Sequence, residues 1–289
     1  MMRGKRYSAI AVRKMTNEVV VRKDELKPWS DRFPILKKPI LRGAVALIET
    51  MVLGLQSLTY SANEYAGEEE EQLSTKEIVF TIGFAFLLTV GLFVVLPAFI
   101  LRFVQSAISS NILLNLVEGL IKISFFLLYI LGISLMKDIQ RVFQYHGAEH
   151  KVINCYESGD QLTIENIKKH SRIHARCGTN FLLIVLFTSV FIFSFFGRPP
   201  FLQRILIHIA ILPIVAGVSY EIIKQAGKEN CHPIFKLIAL PGKGLQYLTT
   251  RQPDESQIEV ALKALQDVLA EDAAHAEEQK IRQFPGRAN

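Results

Sequence analysis

The chain has 289 residues, half of them hydrophobic, a mean hydropathy of +0.26 and a formal net charge of +6. That apolar content, gathered in blocks beside 21% charged residues, excludes a disordered chain and argues against an ordinary water-soluble domain. Three cysteines at irregular spacing do not make a disulfide framework.

Residues 1–39 read as a basic arm, since 1–42 hold twelve Lys or Arg against four Asp or Glu. Beside membrane segments this pattern marks a cytoplasmic flank near anionic lipid, and no nucleic-acid partner is expected from it. Residues 40–60 are apolar but carry Arg42, Glu49 and Gln56, which suits an interfacial or re-entrant helix better than a full span. An acidic loop follows at 61–77, with six Glu against one Lys.

Four runs then approach or exceed the roughly 20 residues that cross about 30 Å of hydrocarbon. Ile78–Leu101 and Ile112–Met136 form a first pair within 78–136; Phe181–Phe196 and Leu202–Ile223 form a second within 180–223. Pro97 and Pro213 fall inside these runs, where membrane helices tolerate kinks. The intervening segment 137–179 holds seven Lys or Arg, so the positive-inside rule places it in the cytoplasm with the N-terminal arm and the tail, 224–289.

In the tail, Ile258, Ala261, Leu262, Leu265, Val268 and Leu269 recur at helical spacing. They predict an amphipathic, water-facing helix that packs on the body or on a protein partner. The expected fold class is thus an all-α polytopic membrane protein surrounded by membrane lipids. It has about four transmembrane helices, interfacial helices, a cytoplasmic His/Cys-rich helical insertion and an amphipathic C-terminal helix.

The insertion carries the chemistry. His146-Gly-Ala-Glu149-His150 fits H-x-x-E-H, the inverted zinc-peptidase pattern. Residues four apart share a helix face, so both imidazoles can reach one cation with Glu149 beside them as a base for water. A second cluster, His170-x-x-x-His174-x-x-Cys177, adds three ligand-type residues about twenty positions later. A turn at Gly159-Asp160 and a cap at Thr163 predict a separate short helix that folds this cluster back on the first. On a helix, His170 and Cys177 lie about 10 Å apart along the axis, too far to share one ion. His174 is therefore favoured as the common ligand, paired with either His170 or Cys177, with Gly178 as the helix C-cap.

Arg172 and Arg176 can hold a phosphate or lipid headgroup, or serve as positive-inside anchors. Glu221 can supply a distal carboxylate or an anchor at the headgroup level. Glu118 and Lys122 are spaced to neutralise each other, and Cys155 reads as a small packed thiol.

YHGAEHKVINCYESGD, HARCGTNF, VSYEIIK, ALIETMVLGLQSLTYSANE and LQYLTTRQPDESQIEVAL together resemble the YqhQ-like bacterial membrane proteins, nearly end to end. The resemblance implies a polytopic metal-dependent enzyme of undefined reaction. It carries over His146, Glu149 and His150 from the first block, then His174 and Cys177 from the second. Members carry a glycine-rich GGQAVIEGV-like segment ahead of the stretch matching Met1–Gly4, so the resemblance implies that this sequence begins inside the family's N-terminal region.

Three functions fit this reading. The first is a hydrolase with a divalent metal, zinc by its ligands, acting on a lipid or membrane-tethered substrate at the cytoplasmic surface. His146, His150 and His174 would be its ligands, Cys177 or His170 the variable one, and Glu149 the catalytic base. The second is a scaffold or assembly factor with a closed structural zinc site. The third is a transporter using Glu118, Lys122 and Glu221.

Overall fold

The structure, a computed structural model, describes residues 1–66, 74–197, 200–228 and 230–283. The Glu-rich centre of the 61–77 loop lies outside these described residues.

The basic arm folds into a small sheet, an addition to the all-helical expectation. Strands β1 (Met2–Arg3), β2 (Tyr7–Arg13) and β3 (Val19–Glu25) pair antiparallel in that order. The local reason is the run YSAIAVR, whose alternate residues can face opposite sides. Ala9 enters a buried cluster shared with helices later in the chain, whereas Ile10 and Val12 are buried outside it, on the other face.

Eleven helices follow among the described residues. A single turn, α1 (Trp29–Arg32), leads through a 3-10 turn to α2 (Leu41–Ala66). Helix α3 (Thr75–Val90) opens on a Ser74–Glu77 capping box. A π-turn at Gly91–Val95 joins it to α4 (Leu96–Val104), directly before Pro97, whose missing N–H forces such an adjustment. Then come α5 (Asn111–Ser134), α6 (Lys137–Glu157), α7 (Ile164–Lys169), α8 (Gly178–Phe193), α9 (Phe201–Ala226), α10 (Pro233–Thr249) and α11 (Glu255–Gln283).

Among the described residues, five helical stretches are long and apolar enough to cross a membrane: Leu41–Tyr65, Lys76–Ala107, Asn111–Ser134, Gly178–Phe196 and Ile209–Ala226. Four overlap the runs read from the sequence. The fifth is most of α2, whose length and composition suffice for a span although its charges argued for the interface.

The polar half of the chain has its own core. Met2 and Ala9 from the sheet meet Ala148, Val152 and Cys155 from α6, Ile167 from α7, and Ile258, Ala261, Ala264, Leu265 and Val268 from α11. The apolar stripe expected in the tail is thus buried on the body. Asp272 near its end fixes the sheet by accepting hydrogen bonds from the backbone N–H of Lys5 (2.7 Å), Arg6 (2.9 Å) and Tyr7 (3.2 Å). The sheet, α6, α7 and α11 therefore form one packed unit.

Candidate metal centre

The site is built on α6. Its i, i+4 spacing stacks the His146 and His150 rings edge to face, with centroids 4.3 Å apart. Gly147 between them is required by packing: a methyl group there would overlap the carbonyl oxygen of Arg251, which lies against this turn. The same Arg251 donates its backbone N–H to Phe143 O at 2.8 Å, tying the segment after α10 to α6.

Both histidines are oriented by backbone carbonyls. His146 Nδ1 lies 2.8 Å from Thr249 O, and His150 Nδ1 lies 2.6 Å from Arg172 O. A carbonyl only accepts, so each Nδ1 must carry the proton and each Nε2 is left to face the site. Cys177 Sγ completes the group, 3.2 Å from His146 Nε2, and the three donor atoms all lie within 4.8 Å of one another. His150 and Cys177 are buried and His146 half-buried.

The second cluster departs from the helix expected for it. Helix α7 begins at the Thr163 cap as read, but ends at Lys169, and residues 170–176 are irregular. The reason lies in α6. Buried Lys151 donates to the carbonyls of Lys168 (2.8 Å) and His170 (2.6 Å), and Asn154 donates to those of Ser171 (2.7 Å) and Ile173 (3.1 Å). These side chains take the carbonyls that a continuing helix would have used. On the other side, Gln246 of α10 clamps His174, accepting its N–H at 2.8 Å and donating to its carbonyl at 2.9 Å. Gly178 is consequently no C-cap. It is the first residue of α8, with Cys177 as its N-cap.

The irregular loop separates the two later histidines from the triad. His174 stands beside it, its ring 5.8 Å from that of His150, but its Nε2 lies 3.2 Å from Glu157 Oε2. His170 is further removed and pairs with Asp160 at 2.9 Å. Arg172 serves as a strut: its guanidinium donates to Thr250 O at 2.6 Å and lies 5.7 Å over the Tyr247 ring. Arg176 is paired with Glu157. Glu221 is bound in bidentate fashion by Arg42, at 2.6 and 2.5 Å, where α2 meets α9. Glu149 is outside the three-donor group, though close enough for its charge to act on His146.

The group is electrostatically prepared for an anionic sulfur. Burial would raise the Cys177 thiol, but hydrogen bonds from the two imidazoles outweigh it and hold the pKa down at about 5. The N-cap position adds the positive end of α8. Burial alone would lower His146, but Cys177 reverses this and raises it. His174 is pushed down by burial, against the opposing pull of Glu157.

Two ligands on zinc, at bonds of about 2.0–2.3 Å, stand about 3.3–3.8 Å apart. His146 Nε2 and Cys177 Sγ, 3.2 Å apart, stand near this range, and the remaining separations, within 4.8 Å, reach it by a side-chain movement of about 1 Å. The Nδ1–H···O=C bonds of the two imidazoles are the orienting contacts that ligating histidines use. Thr249, Gln246, Lys151 and Asn154, which hold the site, carried no assignment in the sequence reading. Their blocks, HKVIN and LQYLTTRQ, were distinctive, but a backbone acceptor or a clamp from a distant helix leaves no spacing signal.

A model of a protein family described as "Protein of unknown function (DUF1385)" matches residues 38–271. The chain is 34% identical to the uncharacterized protein YqhQ of Bacillus subtilis (strain 168) over 294 residues, covering 97% of this chain and 92% of that protein. No solved structure matches.

Proposed function

We propose, for this chain, which belongs to the DUF1385 family, that it is a membrane-embedded, zinc-dependent hydrolase acting on a lipid or membrane-tethered substrate. The observation that supports the reading is the convergence of His146 Nε2, His150 Nε2 and Cys177 Sγ, with both Nδ1 atoms tied to carbonyls. Three protein ligands leave a fourth position open, as catalytic sites require. A divalent cation bound there supplies Lewis acidity to water and to a carbonyl or phosphoryl group. Glu149, on the same face of α6, is the base that takes the proton. Thr249 and Arg172 hold the imidazoles in one tautomer, and Gln246 fixes the loop that carries Cys177.

The site lies on the side occupied by the N-terminal sheet, α6, α7 and α11, since these share one core. The cationic content of 137–179 makes that side cytoplasmic. Partners are membrane lipids; a protein partner at α11 would have to use its outer face, because the inner stripe is buried.

Metal analysis of the purified protein tests the reading. One ion per chain is expected, absent from the His146→Ala/His150→Ala variant. Glu149→Gln is expected to keep the ion and lose the cellular function. Metal-free protein in every preparation, including one made with added zinc, would refute it. A closed structural site is the second reading: His174, its ring 5.8 Å from that of His150, would have to leave Glu157 to become a fourth ligand. It would show as loss of metal in His174→Ala.

A further inference from the structure

Helix α2 has two unlike faces. Along one, from residue 49 to 65, it meets charged and polar groups of the packed unit. Arg3 reaches Glu49 at 3.5 Å and Thr50 at 3.3 Å, and Lys14 pairs with Glu64 at 3.0 Å. Arg22 lies 5.5 Å over Tyr60, and Arg141 of α6 lies 5.7 Å over Tyr65. The same helix packs against β2, the strand whose Ile10 and Val12 are buried away from the α11 core. Its other face leaves Ile48, Met51, Val52, Leu55 and Leu58 exposed.

Chain topology limits where such a helix can run. The sheet precedes α2, and α6 follows it, yet both contribute to one core. The number of membrane crossings between them must be even. The α3–α4 stretch and α5 supply two. A crossing by α2 would make three and would draw Arg3, Lys14 and Arg22 into hydrocarbon with it. Its helix is continuous over Leu41–Ala66, without the break that a re-entrant segment needs. At its start it is seated on α9, where Gly43 meets Gly217 and Tyr220.

We propose that α2 lies flat on the cytoplasmic leaflet, with its outer stripe at the boundary between headgroups and acyl chains. The preceding segment 29–38 is its anchor on anionic lipid. That segment exposes Trp29, Phe33 and Ile35 and interleaves them with Arg32, Lys37 and Lys38 against the single acid Asp31. Aromatic and cationic side chains together suit the headgroup level of an anionic bilayer. This proposal rests on the shared core and not on the metal reading, so either can fail alone.

Trp29 is the only tryptophan in the chain, which permits a direct test in proteoliposomes containing lipids brominated at different acyl depths. Native Trp29 is expected to be quenched most strongly by the shallowest bromines. In a Trp29→Phe background, single tryptophans introduced by Ile48→Trp, Leu55→Trp and Leu58→Trp should report depths equal within a few ångströms. A crossing helix would spread positions 48 and 58 by about 15 Å at 1.5 Å per residue, and that result would overturn the proposal. Absence of lipid quenching at all three positions would overturn it too, since protein would then cover the stripe. Trp29 quenching should increase when phosphatidylglycerol replaces phosphatidylcholine, and Arg32→Gln/Lys37→Gln/Lys38→Gln should remove the increase. Equal quenching of the native chain in both lipids would refute the anionic anchor.

Discussion

The two histidine clusters are alike in sequence and opposite in structure. In HGAEH, backbone carbonyls hold both Nδ1 atoms and leave both Nε2 atoms facing Cys177. In HSRIH, the Nε2 atoms meet carboxylates, His170 on Asp160 and His174 on Glu157. The difference teaches that spacing selects a face, whereas the partner of the second ring nitrogen decides whether an imidazole is offered to a site. It also makes the two clusters separable by experiment.

The largest effect should come from the convergent group. His146→Ala, His150→Ala or Cys177→Ser should each lower metal affinity by well over 100-fold, since loss of even an outer partner of a ligand costs about 10–100-fold. Cys155→Ser, in the apolar core, should leave affinity unchanged. Equilibrium dialysis against zinc separates these outcomes.

Next is the charge state of the metal-free group. Cys177 falls from an ordinary 9.0 to about 5, so the thiolate contributes stability that is complete above pH 9 and lost as pH falls through 5. His146 is raised above 6.5, so the imidazolium contribution is complete below 6.5 and lost as pH rises through the folded value. Thiolate and imidazolium therefore coexist in a window opening near pH 5 and closing above 6.5. Absorbance at 240 nm, taken as native minus Cys177→Ser, should rise with a midpoint near pH 5 and move upward in His146→Ala.

Gly147→Ala should be smaller but measurable. The rigid Arg251 carbonyl must move to admit a methyl group, and overpacking of this kind costs about 1–3 kcal/mol. A lowered thermal midpoint with weakened zinc binding is expected, because Arg251 lies two residues after Thr249, whose carbonyl orients His146. The smallest effect should be that of His170→Ala, which removes only the half-exposed pair with Asp160 and should leave zinc content intact. Equal losses from His170→Ala and His146→Ala would erase the distinction between the clusters.

The sequence made some of this legible. The HGAEH pair needs only helix periodicity, and the tail stripe from Ile258 to Leu269 needs only an amphipathic pattern. Both are local properties. The sheet is masked in the sequence by the density of charge in the arm, although YSAIAVR followed by VVVRKDE carries strand-forming residues. The geometry around Cys177 was hidden for another reason. Helical spacing predicts a helix through 170–177, whereas Lys151, Asn154 and Gln246 hold that stretch irregular by contacts 17 to 72 residues distant.

The most direct measurement is the visible absorption spectrum of the purified protein loaded with Co(II). The account expects one cobalt per chain in a tetrahedral site, with a thiolate-to-cobalt band that Cys177→Ser abolishes and Cys155→Ser does not. Added azide should shift the d–d bands by entering the open position. A chain that takes up no stoichiometric cobalt, or a band that survives Cys177→Ser, would contradict it.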